Sequence, residues 1–71
     1  MLTGKRMALL KEIRLGMCVR QADVAQRIQR ADGSGLMTDA ELSRIEAGIF
    51  PLADGFAWTY LEAVAEAKRE S

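Results

Sequence analysis

The stretch from Thr38 to Gly48 most constrains the fold, because both ends of a helix are marked in it. Thr38 stands three residues before Glu41, the spacing of a capping box in which each side chain bonds the other residue's backbone N–H. Met37 and Leu42 occupy the two positions of a hydrophobic staple. Gly48 stands where a left-handed closing residue is expected. The sequence therefore predicts a helix of about ten residues here.

The rest of the chain is also predicted to be helical. No segment alternates apolar and polar residues as a strand does, and the only proline is Pro51. We expect a first helix from about residue 4 to 15, a second from about 21 to 30, and a last one capped by Asp54. Their inward positions are predicted to be Leu9, Leu10 and Ile13, then Val24, Ala25 and Ile28, then Ala57, Tyr60, Leu61, Val64, Ala65 and Lys68. The expected fold class is all-α, a compact bundle of four to five short helices in a single domain over residues 1–71.

Composition limits the function classes. No apolar run approaches the roughly 20 residues of a membrane helix, and no signal peptide follows the first residues, so a cytoplasmic protein without membrane contact is expected. Cys18 is the only cysteine and histidine is absent, which excludes an internal disulfide and a multi-cysteine zinc site. We expect Cys18 to be a small buried hydrophobe and expect no metal.

Catalysis has little support in the sequence. Cys18 has no evident base, and Asp39 and Glu41 point about 200° apart on a helix rather than converging on one site. Gly33-Ser34-Gly35 is too short for a phosphate-binding loop and no lysine follows it. We therefore predict that the protein is not an enzyme and has no cofactor and no small-molecule substrate.

The net charge of zero hides an asymmetry between the two parts of the chain. Residues 1–30 contain seven basic and two acidic residues, a net charge of +5, whereas residues 31–71 contain three basic and eight acidic residues, a net charge of −5. A basic face is typical of proteins that bind a nucleic-acid duplex. The neutral total weakens that expectation without removing it.

The spacing of these segments resembles the helix-turn-helix family of Cro and the phage repressors. The similarity runs from Leu10 to about Val64 and rests on two pieces. The first is the segment from Leu10 to Arg14, followed by Val19 and by residues 21–25, which resemble the first motif helix; the second is the segment 38–48, which resembles a recognition helix. The resemblance implies a small sequence-specific DNA-binding transcriptional regulator, repressor-like, which binds double-stranded DNA as a homodimer. A chain of this size is typical of phage and plasmid regulators.

The resemblance also implies roles for individual residues. Arg14 and Glu46 match a pair that links the first and third helices, and Gln21 matches a residue that holds a phosphate. The groove-facing positions are matched by Thr38, Asp39, Ala40 and Arg44. Among these, Arg44 has the donors to reach guanine or a phosphate.

Two features depart from the family. Asp39 and Glu41 place acids at the leading end of the recognition helix, where DNA presents phosphate charge. The segment Gln29–Leu36 places eight residues where the family has a tight turn, and a connection of this length is tolerated by the fold. Arg27 lies just before this segment and Arg30 lies within it. The two arginines are either solvated surface residues or a phosphate clamp that compensates for the longer connection.

The alternative function is a protein-interaction module, an adaptor or inhibitor that keeps the scaffold without relying on DNA. The acidic helix, the long connection and the neutral total charge favour it. Phe56, Trp58 and Tyr60 are three aromatics within five residues, and they are either core or a surface for a dimer or a protein partner.

Overall fold

The computed structural model describes residues 4–30, 33–48 and 55–70, and over these ranges the chain is helical. The helices are α1 (Gly4–Gly16), α2 (Gln21–Ala25), α3 (Asp39–Glu46) and α4 (Gly55–Arg69). In the described ranges there is no strand, only one isolated β-bridge. The prediction of a compact all-α fold is confirmed, with four helices in the described part. The cap expected at Asp54 lies outside the described residues.

The core is shared by all four helices. Helices α3 and α4 each pack against both α1 and α2. The helices of the pair α1 and α2 therefore alternate with those of the pair α3 and α4 around the core. The buried apolar residues are Met7, Leu10, Val19, Val24, Ala25, Ile28, Leu42, Ile45, Tyr60, Ala63, Val64 and Ala67. Within the described ranges, no helix has both the length and the apolar character needed to span a membrane.

Helix α1 presents a different face to the core from the one predicted. Met7, Leu10 and Arg14 are buried, whereas Leu9 and Ile13 are 64% and 44% exposed. The prediction that Leu9 and Ile13 lie inward is wrong. The buried stripe of α1 ends at Arg14, a charged residue that a hydropathy pattern does not place in the core. Arg14 is accepted there because it has a buried partner, described below.

Helix α2 is half as long as predicted. It ends at Ala25 rather than at residue 30. We call the segment 29–36, of which residues 29–30 and 33–36 are described, the excursion. The ends of this excursion are joined by a β-bridge between Gln29 and Leu36, and Met37 N–H donates to the Ile28 carbonyl at 2.8 Å. These long-range bonds satisfy backbone groups that a continued helix would have used, which explains the early end of α2.

Helix α3 confirms the predicted ends. Thr38 Oγ1 accepts from the Glu41 N–H at 3.2 Å while Thr38 N–H donates to the Glu41 carboxylate, so the capping box is complete. Leu42 is fully buried, and the partly buried Met37 packs against the same core cluster. Gly48 closes the helix with φ 76°, and a Cβ added to it would lie 3.0 Å from the Cα of Gly4. The end of α3 and the start of α1 therefore touch through backbone.

Cys18 and the inward face of α4 also differ from prediction. Cys18 is exposed, with a left-handed φ of 59°, so the chain reverses direction there while Val19 turns into the core. In α4, the expected inward residues Ala65 and Lys68 are exposed, because the buried stripe consists of Tyr60, Ala63, Val64 and Ala67. The packing of α4 against both α1 and α2 selects this stripe.

Candidate functional site

Arg14 and Glu46 form a buried ion pair between α1 and α3, as the resemblance implied. Arg14 Nε donates to Glu46 Oε2 and Nη2 donates to Oε1, both at 2.9 Å. Arg14 Nη1 also donates to the Val19 carbonyl at 2.8 Å. The two residues are only 6% and 4% exposed. This two-pronged geometry fixes the orientation of α3 relative to α1.

Two further side chains complete this network. Tyr60 Oη donates to Glu46 Oε2 at 2.6 Å and accepts from Arg14 Nε at 3.2 Å. Gln21 Nε2 donates to Glu46 Oε1 at 3.0 Å. Residues from all four helices therefore meet at one carboxylate. Tyr60 belongs to the core rather than to a surface, and sequence reasoning missed its role, although a tyrosine among inward residues generally needs a buried partner.

The network shifts the proton affinities of its members. Burial by itself raises the pKa of Glu46, but hydrogen bonds from Arg14, Tyr60 and Gln21 outweigh burial and lower it. Burial, followed by the hydrogen bond to Glu46, raises the pKa of Tyr60. The Glu46 carboxylate is therefore charged and the phenol neutral under ordinary conditions.

Arg30 and Glu41 form a second pair, which joins the excursion to the start of α3. Arg30 Nε donates to Glu41 Oε1 at 3.0 Å and to Oε2 at 3.1 Å. The Arg30 hydrogen bond, followed by the Thr38 N–H, lowers the pKa of Glu41 to about 2. Of the two acids that depart from the family pattern, Glu41 is thus paired with a neighbouring arginine, whereas Asp39 is exposed.

Arg27 connects the end of α2 to α4. Its Nη1 donates to the Asp23 carbonyl at 2.8 Å, its Nη2 lies 3.1 Å from Glu70 Oε2, and its Nε lies 3.7 Å from Glu66 Oε1. Both members of the predicted clamp, Arg27 and Arg30, are therefore bound to carboxylates of the chain itself. Their proposed contact with phosphate stays a prediction.

The outward face of α3 holds four of the predicted DNA-contacting positions. Its exposed residues are Thr38, Asp39, Ala40, Ser43, Arg44 and Ala47. Thr38 Oγ1 is engaged with Glu41 in the cap, so its hydroxyl is not available as the sequence suggested. Arg44 makes no hydrogen bond or ion pair with any described residue. The face thus consists of small side chains around one long arginine.

Gln21 lies at the start of α2, against the end of α3. One N–H of its amide nitrogen donates to Glu46, which leaves the second N–H and the amide oxygen for other partners. The structure therefore brings Gln21 to Glu46, the side chain that anchors α3.

The three aromatic residues of α4 do not form one surface. Trp58 is 70% exposed, whereas Tyr60 is fully buried and Phe56 is partly buried against the core.

No family model, no curated protein and no solved structure matches the chain. Among the described residues, no cluster of acidic or cysteine side chains has the arrangement needed to hold a metal ion. The geometry around α3 is therefore the basis for a functional proposal.

Proposed function

We propose that the protein is a small sequence-specific DNA-binding regulator in which α2 and α3 act as a helix-turn-helix and α3 enters the major groove. The observation that carries this proposal is the outward face of α3, where Arg44 has no partner among the described residues and Ala40, Ser43 and Ala47 surround it. Small side chains permit close approach of a helix to base edges. A guanidinium there can bond guanine O6 and N7 together, or a phosphate.

The second support is the pairing of the α3 glutamates. Glu46 is buried against Arg14, and Glu41 is bound by Arg30, so neither presents an uncompensated charge to a phosphate backbone. Asp39 remains the one acid on the outward face of α3. At the first turn of a recognition helix, an aspartate can accept from the cytosine amino group.

The third support is the closed excursion. Because Met37 N–H bonds the Ile28 carbonyl, the residues before and after the excursion are neighbours, as they are across a tight turn. The added length therefore leaves the connection between α2 and α3 short in space. The eight residues of the excursion are therefore compatible with a helix-turn-helix arrangement of α2 and α3.

The test begins with selection of duplexes from a randomised double-stranded DNA library at low salt. Binding to an enriched duplex is then measured by fluorescence anisotropy for the wild type and Arg44→Ala. We expect Arg44→Ala to weaken specific binding by about 1–3 kcal/mol and to relax preference at one base pair. Lys11→Ala, which removes an exposed positive charge from α1, serves as the control and is expected to change affinity little. Unchanged affinity and preference in Arg44→Ala would contradict the proposal.

A protein-interaction module, an adaptor or inhibitor, is the second candidate function. The exposed apolar side chains favour it, above all Trp58 at 70% and Leu9 at 64% exposure. Salt separates the two functions, because DNA binding weakens steeply as salt rises whereas an apolar protein contact changes little. Failure to enrich any duplex at low salt would leave this second candidate.

A further inference from the structure

One stripe of α4 faces away from the core, and its side chains are complementary to those of the same stripe in a second copy of the chain. Trp58, Glu62, Ala65 and Arg69 are all exposed, and their spacing of four, three and four residues places them on one side of the helix. The opposite side holds the buried residues around Tyr60 and Val64. Neither Glu62 nor Arg69 makes an ion pair or hydrogen bond with a described residue. We call these four residues the α4 stripe.

The spacing of the α4 stripe is that of a coiled-coil seam. Residues alternately three and four apart face a partner helix along its whole length. If two copies of α4 run antiparallel about a twofold axis between residues 63 and 64, Trp58 lies opposite Arg69 of the second copy. Glu62 then lies opposite Ala65 of the second copy. All four layers of the contact are generated by these two pairings.

We propose that the protein associates with a second copy of itself through the α4 stripe, with the two helices antiparallel. In this arrangement the Arg69 guanidinium stacks on the indole of Trp58, a cation–π contact. The small Ala65 leaves room for the Glu62 carboxylate, which reaches the second copy's Arg69 one turn away. A parallel arrangement would instead set Glu62 against Glu62 and Arg69 against Arg69. Charge complementarity therefore favours a second copy of the chain as the partner and an antiparallel orientation of the two helices.

The dimer is expected to be weak, because two single helices of 15 residues bury a small area. We expect a reversible dimer that forms only at high protein concentration, with Trp58 as the main contributor to its stability. The proposal does not depend on DNA binding, and all of its tests are made without DNA.

Sedimentation equilibrium of the full chain tests the association. We expect a monomer–dimer equilibrium for the wild type and a dissociation constant about tenfold higher or more for Trp58→Ala. Leu9→Ala, which removes an exposed apolar side chain from α1, is the matched control and is expected to leave the constant unchanged. Circular dichroism verifies that both variants are folded. A wild type that is monomeric up to millimolar concentration, or an equal effect of both variants, would overturn the proposal.

Charge reversal tests the pairing. Arg69→Glu brings a carboxylate toward both Trp58 and Glu62 of the second copy, and we expect it to abolish the dimer. Combining it with Glu62→Arg restores the unlike charges and is expected to recover association. No recovery would contradict the assigned pairing.

Disulfide cross-linking tests the direction in a Cys18→Ser background. We expect a mixture of the Glu62→Cys and Ala65→Cys proteins to form more disulfide-linked dimer than either protein alone, because residues 62 and 65 lie opposite each other. Stronger cross-linking within each single variant would overturn the antiparallel arrangement.

Discussion

Glu46 lies at the centre of the buried polar network, and its removal should affect every helix. Its two oxygens accept from Arg14, Tyr60 and Gln21. Without Glu46, the Arg14 guanidinium would remain buried with no carboxylate to balance it. Such a stranded charge is far more harmful than the loss of a surface ion pair.

We predict that Glu46→Ala lowers the free energy of unfolding by about 3–5 kcal/mol. The total for a domain of 71 residues is roughly 4–11 kcal/mol, so much of the protein should be unfolded or close to it. Urea denaturation followed by circular dichroism measures the change. Glu12→Ala, an exposed site on α1, is the control and should stay within about 0.5 kcal/mol of the wild type. A comparable effect at both sites would contradict the network.

Comparing Gly48 with Gly33 distinguishes two effects of replacing a glycine, backbone strain and steric contact of the added Cβ. Both have left-handed backbone, with φ of 76° and 74°, but only Gly48 has a neighbour, the Gly4 Cα at 3.0 Å from an added Cβ. We predict that Gly33→Ala lowers stability by about 1–2 kcal/mol through backbone strain alone. Gly48→Ala should lower it further, because the start of α1 must move. Equal losses in thermal melts would show that the contact between α1 and the end of α3 is not tight.

The residue scale shows what a local pattern can and cannot predict. The Arg14–Glu46 pair was predictable only through resemblance, because the two residues are 32 positions apart. Cys18 was not predictable, since its apolar neighbours indicate burial while the direction of its side chain depends on one left-handed φ of 59°. Tyr60 was predictable as an inward residue, but its partner was not.

The start of α3 and the excursion behave as one element through Arg30 and Glu41. The pKa of Glu41 falls to about 2 from an ordinary value of 4.5, chiefly because of Arg30. A carboxylate whose pKa is lower in the folded state adds stability above pH 4.5, and this contribution is lost as the pH falls toward 2. Acid should therefore weaken the attachment of the excursion to α3.

We predict that the stability difference between the wild type and Arg30→Gln is largest at pH 6 and narrows as the pH falls below about 4.5. The reason is that protonation removes in the wild type the interaction that the variant already lacks. Urea midpoints measured at several pH values give the difference directly. For Lys11→Gln, the control, the difference from wild type should not vary over this range. A constant difference for Arg30→Gln would contradict the pairing.

Among the elements, α3 was the most predictable because its signals are local. The cap, the staple and the closing glycine all lie within 37–48. Helix α2 was predicted five residues too long, because its end is determined by bonds to residues 36 and 37 that its own pattern does not contain. The faces of α1 and α4 were partly misassigned, since the choice between neighbouring stripes depends on which helices pack against them.

The molecule as a whole is held by a polar centre to which all four helices contribute. Arg14, Gln21, Glu46 and Tyr60 come from α1, α2, α3 and α4 respectively. Opening any one helix would therefore disturb the hydrogen bonds of the others. Such a centre favours unfolding in a single cooperative step.

We predict that Tyr60→Phe lowers global stability by about 1.5–3 kcal/mol, because a hydrogen bond to a charged group is lost. Native-state hydrogen exchange should show protection of core amides in α1, α3 and α4 reduced by a common factor of about ten or more. Thr59→Ala, the exposed neighbour, should affect only the first turns of α4. A loss confined to α4 in Tyr60→Phe would show that the helices open independently.

Part of the charge asymmetry of the sequence is neutralised by ion pairs within the fold. Arg14, Arg27 and Arg30 of the basic part are bound to Glu46, Glu66, Glu70 and Glu41, all from the acidic part. The net charge of +5 in residues 1–30 therefore overstates the positive surface available to a duplex. Composition indicated a basic half, but only the fold shows which of its charges already have partners.

The closed excursion is a suitable place to insert a foreign sequence. Since the chain leaves at Ile28 and returns beside it at Met37, the tip between Gly33 and Gly35 can be lengthened with little change in the separation of α2 and α3. Exposed tips bounded by paired backbone are the sites where proteins generally accept added segments. The tip is accordingly the natural place to install an epitope or a fluorophore-binding peptide while both chain ends remain unaltered.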